Sequence, residues 1–128
     1  MDIKYKNKLV AIFMGRFPKG SIPQTNGQEP LQLVTLKHPK GKYLLAHAHQ
    51  PTPRKTTKMQ ECIIVKKGKI KVDLYGADNK VFKLFKKVTM KAGDLLILLD
   101  GGYGIHILED AEMIELKNGP FLEDKVLI

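Results

Sequence analysis

The stretch KIKVDLYG, Lys69–Gly76, alternates apolar and polar residues: Ile70, Val72 and Leu74 share one face, and Lys69, Lys71 and Asp73 the other. A period of two is that of a strand with one buried and one wet face. The same strand chemistry recurs along the chain. Leu9–Met14, Leu31–His38, Lys42–His49, Glu61–Gly68, Lys80–Met90, Asp94–Leu99, Tyr103–Leu108 and Ala111–Lys117 are short runs rich in β-formers. Turn residues separate them, in HPKGK, KKGK, GADNK, KAGD, DGGYG and KNGP. Helical spacing is hard to find anywhere. Many short strands with turns every roughly 8–12 residues predict an all-β sandwich or barrel.

With 128 residues and no linker, low-complexity tract or internal repeat, the chain reads as one domain with a single core. Hydrophobic residues make up 43% and charged ones 27%, a soluble globular balance. The longest apolar run, Leu95–Leu99, is strand-sized and far short of a membrane span. The opening MDIKYKNK has no hydrophobic signal core, and a lone cysteine, Cys62, fits a reducing compartment, so a cytoplasmic protein without membrane contact is expected. The net charge of +9 comes from 22 Lys and Arg against 13 Asp and Glu, mostly lysines in scattered pairs such as Lys66-Lys67 and Lys86-Lys87. A nucleic-acid binder concentrates its charge and interleaves aromatics. With 7% aromatics and no Trp, the charge reads instead as solvated strand faces, or as a field that attracts a small anionic ligand.

Two of the four histidines, His47 and His49, stand one residue apart. On a strand, positions i and i+2 point to one face, so both imidazoles would lie with Leu45, and Ala46 and Ala48 away from them. Such a pair can hold one metal ion, or can arise by chance. Glu61 opens a run whose face it shares with Ile63 and Val65, where a carboxylate is costly unless paired or metal-bound. Alternatively it is a solvated strand end. His106, in GGYGIHILED, is a third imidazole among apolar residues, and otherwise a hydrogen-bonded core histidine. His38, before Pro39, reads as surface. Cys62 faces away from Glu61 as a packed thiol.

Taken together these residues resemble the cupin superfamily. Its first motif, G-x5-H-x-H-x(3,4)-E-x6-G, is matched by Gly41, His47, His49, Glu61 and Gly68, with eleven residues, QPTPRKTTKMQ, between His49 and Glu61 in place of three or four. A hairpin between two ligand-bearing strands can lengthen in this way. The second motif, G-x5-P-x-G-x2-H-x3-N, is looser. Gly93 opens it and His106 lies two residues late; Leu99 replaces the proline, Tyr103 takes the glycine place and Asp110 stands for asparagine. The stretches HAH…PR…TTKMQECIIVKKGKIKVDLY and AGDLLILLDGGYGIHILEDAEMIELKNGP are also similar to a group of small cupins found near bacterial surface-sugar pathways.

The resemblance implies a single-domain cupin jelly-roll β-barrel over residues 1–128. Its core would run from about 31 to 121, and residues 1–30 would form an N-terminal strand and loop. It also implies a metal inside, held by His47, His49, Glu61 and His106. Three imidazoles and one carboxylate suit Fe, Mn, Ni, Cu or Zn as a divalent ion and leave positions open for substrate. Arg54, with a planar fork for carboxylate or phosphate, and Tyr103, an acid or hydrogen-bond donor, are candidate catalytic residues. Lys58 and Gln60 border Glu61 as weaker candidates. The expected function is a metal-dependent isomerase or oxygenase acting on a small polar or sugar-derived substrate. One alternative is a metal-free isomerase or epimerase using a histidine as general base, since HAH also resembles cupin-like nucleotide-sugar ketoisomerases. Another is a binding module without turnover. Expected partners are a small, possibly anionic or sugar-nucleotide ligand, no nucleic acid, and a second copy in a homodimer, with Leu9–Met14 as the strand to exchange.

Overall fold

A computed structural model describes residues 1–128. The chain is all β, with no helix and 53% of residues in strands. In order these are β1 (Asp2–Tyr5), β2 (Lys8–Met14), β3 (Gly20–Pro23), β4 (Val34–Lys37), β5 (Glu61–Asp78), β6 (Val81–Lys91), β7 (Leu95–Leu98) and β8 (Gly102–Lys117). Six of them form one antiparallel sheet in the order β1-β2-β7-β5-β6, with β8 on the other edge of β5; β3 and β4 form a separate hairpin. No helix is long and apolar enough to cross a membrane.

The sheet is organised around β5. Along one edge it pairs with β6 from Lys69 to Asp78 and with β7 from Glu61 to Ile64. Along the other it pairs with β8 from Glu61 to Tyr75. Both long strands change register between Val65 and Ile70 of β5, and there the sheet turns a corner. Gly68 sits at the corner with φ +84°, and a Cβ on it would fall 2.1 Å from the Asp110 carbonyl oxygen. Only a residue without a side chain fits so close an approach. The bend curls the sheet into a half-barrel. At its far side β1 leans over β5 and β6: the Tyr5 and Phe85 rings lie 5.0 Å apart, and the Tyr5 ring packs against Gly76.

The concave face holds the larger core, which includes Ile3, Val10, Ile63, Val65, Ile70, Val72, Leu74, Val88, Met90, Leu96 and Leu98. Ile12, Cys62, Leu95, Ile97 and Leu99 form a second cluster on the convex face, covered by Phe17, Leu31 and Leu33. All four residues of β7 are buried because that strand lies between the two clusters. Cys62 is the packed thiol expected, and burial pushes it up to about 11. Gln60 is fully buried and clasps the covering loop: it accepts from Leu31 N at 3.0 Å and donates to Leu99 O at 3.1 Å and to Glu29.

The expected all-β class holds, and several local readings need correction. KKGK is not a turn between two strands but the bend of a single strand, Glu61–Asp78. Tyr103–Leu108 and Ala111–Lys117 are likewise one strand, bent opposite Gly68. Lys42–His49 forms no strand at all: residues 42–60 carry no regular structure. Its strand composition finds no ladder in the chain, so the alternation that would align His47 with His49 does not apply. β1 and β3 were not foreseen. Leu9–Met14 lies within its own chain's sheet, between β1 and β7.

Candidate functional site

Glu61 starts β5 on the concave side with Ile63 and Val65, as alternation requires. Tyr103, at the start of β8, packs against the same core. In the ladder Glu61 pairs with Lys117 and Tyr103 pairs with Leu74, so the two lie at opposite ends of β8. The corner at Gly68 brings those ends together. The Tyr103 hydroxyl hydrogen-bonds Glu61 Oε2 and lies 2.8 Å from Glu115 Oε1. Lys117 Nζ is 3.7 Å from Glu61 Oε1 and 4.0 Å from Glu115 Oε1.

A phenol carries one proton and so can donate to only one of two carboxylates. With both within reach, the arrangement is satisfied when one carboxyl keeps its own proton and donates it to the phenol oxygen. The electrostatics say which. Burial holds the Glu61 carboxyl above the usual glutamate range, the neighbouring Glu115 adds to this, and Tyr103 and Lys117 oppose it. Hydrogen bonds from Tyr103 and from Glu61 hold Glu115 below that range. Burial and the two carboxyl groups push the Tyr103 phenol far above its ordinary value, so it stays protonated. Glu61 therefore holds its proton more tightly than Glu115, which ionises first. Two carboxyl groups separated in this way define an acid and a base.

The other expected site residues lie elsewhere. His47 and His49 are exposed on the irregular 42–60 segment, with ring centroids 5.2 Å apart, and His47 Nδ1 is 3.0 Å from the Leu45 carbonyl oxygen. His106 faces outward from β8 and pairs through Nε2 with Asp73 Oδ2 at 2.7 Å. That hydrogen bond holds the Asp73 carboxyl below the usual range, and the Lys87 ammonium lies 3.8 Å from its other oxygen. Arg54 is exposed and donates to its neighbour Thr52 O at 3.2 Å. Lys58 reaches Asp100 Oδ2 at 3.2 Å, and His38 pairs with Ser21 Oγ at 2.9 Å across the β3–β4 hairpin.

No three His, Cys, Asp or Glu side chains converge on a point that could hold a metal ion. The four expected ligands do not fit one centre here: Glu61 is engaged by Tyr103 and His106 by Asp73, on opposite faces of the sheet. Of the six expected site residues, the structure unites Glu61 and Tyr103. Glu115 and Lys117 complete the cluster and were missed. The signal was present, since Met113, Glu115 and Lys117 alternate onto one side of AEMIELK and set an acid beside an apolar residue, as in ECIIV.

A cleft of about 110 Å³ is lined by Thr56–Met59 on one side and Asn118–Pro120 on the other, and by none of Glu61, Tyr103, Glu115 and Lys117. Asn118 ties its walls, donating to Thr56 Oγ1 at 3.3 Å and to Lys58 O at 3.1 Å. A larger cleft of about 290 Å³ lies between Met1–Lys4 and Phe85, away from every candidate residue. No protein-family model, curated protein or solved structure matches the chain.

Proposed function

We propose that the chain is a cupin-like protein that moves a proton on a small polar, sugar-derived substrate, with Glu61 as acid and Glu115 as base. One observation carries this reading: a single phenol hydroxyl, that of Tyr103, is shared by two carboxyl groups whose proton affinities are driven apart. In an enolisation Glu115 takes the proton from the carbon beside a carbonyl, and Glu61 gives its proton to the carbonyl oxygen. Returning the protons to different atoms isomerises or epimerises the sugar. Tyr103 holds both groups in line, and Lys117 favours a substrate that carries negative charge.

A second reading keeps a divalent transition metal, held by His47 and His49 without Glu61 or His106. Two features favour it. The His47 Nδ1 contact with a backbone carbonyl leaves Nε2 with a free lone pair, as in metal-ligating histidines. The 5.2 Å between the rings suits two imidazoles on one ion at metal–nitrogen bonds of about 2.0–2.1 Å. Such an ion would supply a Lewis acid and a positive charge for an anionic ligand.

One experiment addresses both readings. Protein in heavy water is incubated with a nucleotide-linked keto sugar and with free keto sugars, and deuterium uptake at carbon is followed by NMR. Uptake lost in both Glu61→Gln and Glu115→Gln supports the acid–base pair, and no uptake, or uptake unchanged in both, sinks it. Elemental analysis of the same preparations decides the second reading: metal must be present, lost in His47→Ala and kept in Glu61→Gln.

A further inference from the structure

We propose that the outer edge of β8 takes the Lys42–His49 segment of a second copy of this chain as an added strand. β8 pairs with β5 on one edge only, and none of the backbone hydrogen bonds outside the strand ladders reaches it. A ladder edge of 16 residues is therefore open. Long open edges with apolar neighbours recruit further strands, and here Ile107 is 55% and Leu116 50% exposed beside that edge. At the start of the strand Ile128, from the end of the chain, packs against Gly102.

The occupant is indicated by pattern and charge. Lys42–His49 has strand composition and no ladder, and leaves Tyr43 68% and Leu45 78% exposed. No backbone hydrogen bond joins it to its own β8. From Lys37 to Lys58 the chain carries Lys37, Lys40, Lys42, Arg54, Lys55 and Lys58 and no acid. β8 carries Glu109, Asp110, Glu112 and Glu115, the densest acidic run of a chain that is otherwise strongly basic. Two β8 edges would set these acids against one another, and like charges opposite each other destabilise a strand pair. Lys42–His49 itself carries one cation, Lys42, and no acid, and the flanking residues out to Lys37 and Lys58 add only cations, so it meets the acidic edge without like-charge repulsion. The exchange is reciprocal, so two copies satisfy both edges and close as a two-fold dimer. The added strand borders Tyr103 and Glu115, which places the partner at the rim of the proposed site. The inference itself does not depend on that site's chemistry.

The test is sedimentation of the wild type and of Leu45→Pro, with amide hydrogen exchange on both. Leu45 is exposed in the single chain, so the substitution leaves its fold intact, while the proline removes a ladder donor. The expected result is a dimer with slow exchange across 42–49, weakened at least about tenfold in Leu45→Pro and weakened by salt. A monomer overturns the proposal, and one with slow exchange across 42–49 would place the segment on its own β8. A dimer with fast exchange across 42–49, or one that Leu45→Pro leaves intact, overturns it as well.

Discussion

The most informative residue is Tyr103, because its single proton cannot serve two carboxylates. The proton affinities of Glu61 and Glu115 beside it are shifted in opposite directions, and that difference has a thermodynamic signature. A carboxyl whose folded pKa is raised, as for Glu61, contributes stability that is fully present below the ordinary glutamate range and is lost as pH rises through the folded value. Glutamine copies the protonated form and does not titrate. The melting temperature of Glu61→Gln relative to wild type therefore increases as pH is taken from about 4 to about 8. A difference that stays constant over this window would show that Glu61 titrates normally. Glu115, with its pKa lowered, contributes in the opposite sense, present above the ordinary range and lost as pH falls. Its carboxyl is common to both proteins, and the double comparison with Glu115→Gln separates its contribution from that of Glu61. Both residues stood in the sequence as acids on apolar strand faces. Their meeting did not, since Glu61 and Glu115 are 54 positions apart (115 minus 61) and only the fold joins them.

At the scale of elements, the corner in β5 and β8 creates the site. Straight strands would leave Tyr103 at one end of β8 and Glu115 at the other. Gly68 permits the bend, and alanine there would meet the Asp110 carbonyl and a left-handed backbone at once. Gly68→Ala is expected to cost about 1–3 kcal/mol in denaturant unfolding and to separate Tyr103 from Glu61. Stability unchanged within error would mean that the strands bend elsewhere. Strand pattern was legible wherever a ladder partner followed in the chain, as in Lys69–Gly76 with Lys80–Met90. It misled in two ways. Alternation cannot distinguish a turn from a bulge, so β5 and β8 each read as two strands. Nor can it say whether a β-rich segment finds an edge, so Lys42–His49 read as a strand that the single chain does not pair. The paired histidines were placed by that reading, and the four-ligand centre depended on it.

For the molecule as a whole, the charge of +9 conceals an uneven distribution. Four acids, Glu109, Asp110, Glu112 and Glu115, lie close together on β8 and the 37–58 segment carries cations alone, so the two surfaces that lack partners are also complementary in sign. The half-barrel holds its larger core on the concave face and carries the Tyr103 contact across its open end. The central claim is that this closure keeps one proton on Glu61 beside an ionised Glu115. Carboxyl carbon NMR on protein labelled at glutamate tests it directly, with Glu61→Gln and Glu115→Gln assigning the two signals and Tyr103→Phe removing the shared hydroxyl. The account predicts that Glu61 titrates above the ordinary glutamate range and Glu115 below it, and that in Tyr103→Phe Glu115 moves back toward that range while Glu61, which loses a hydrogen bond that favours its ionised form, moves further above it. Two carboxyl groups that titrate together at the ordinary value in the wild type would contradict it.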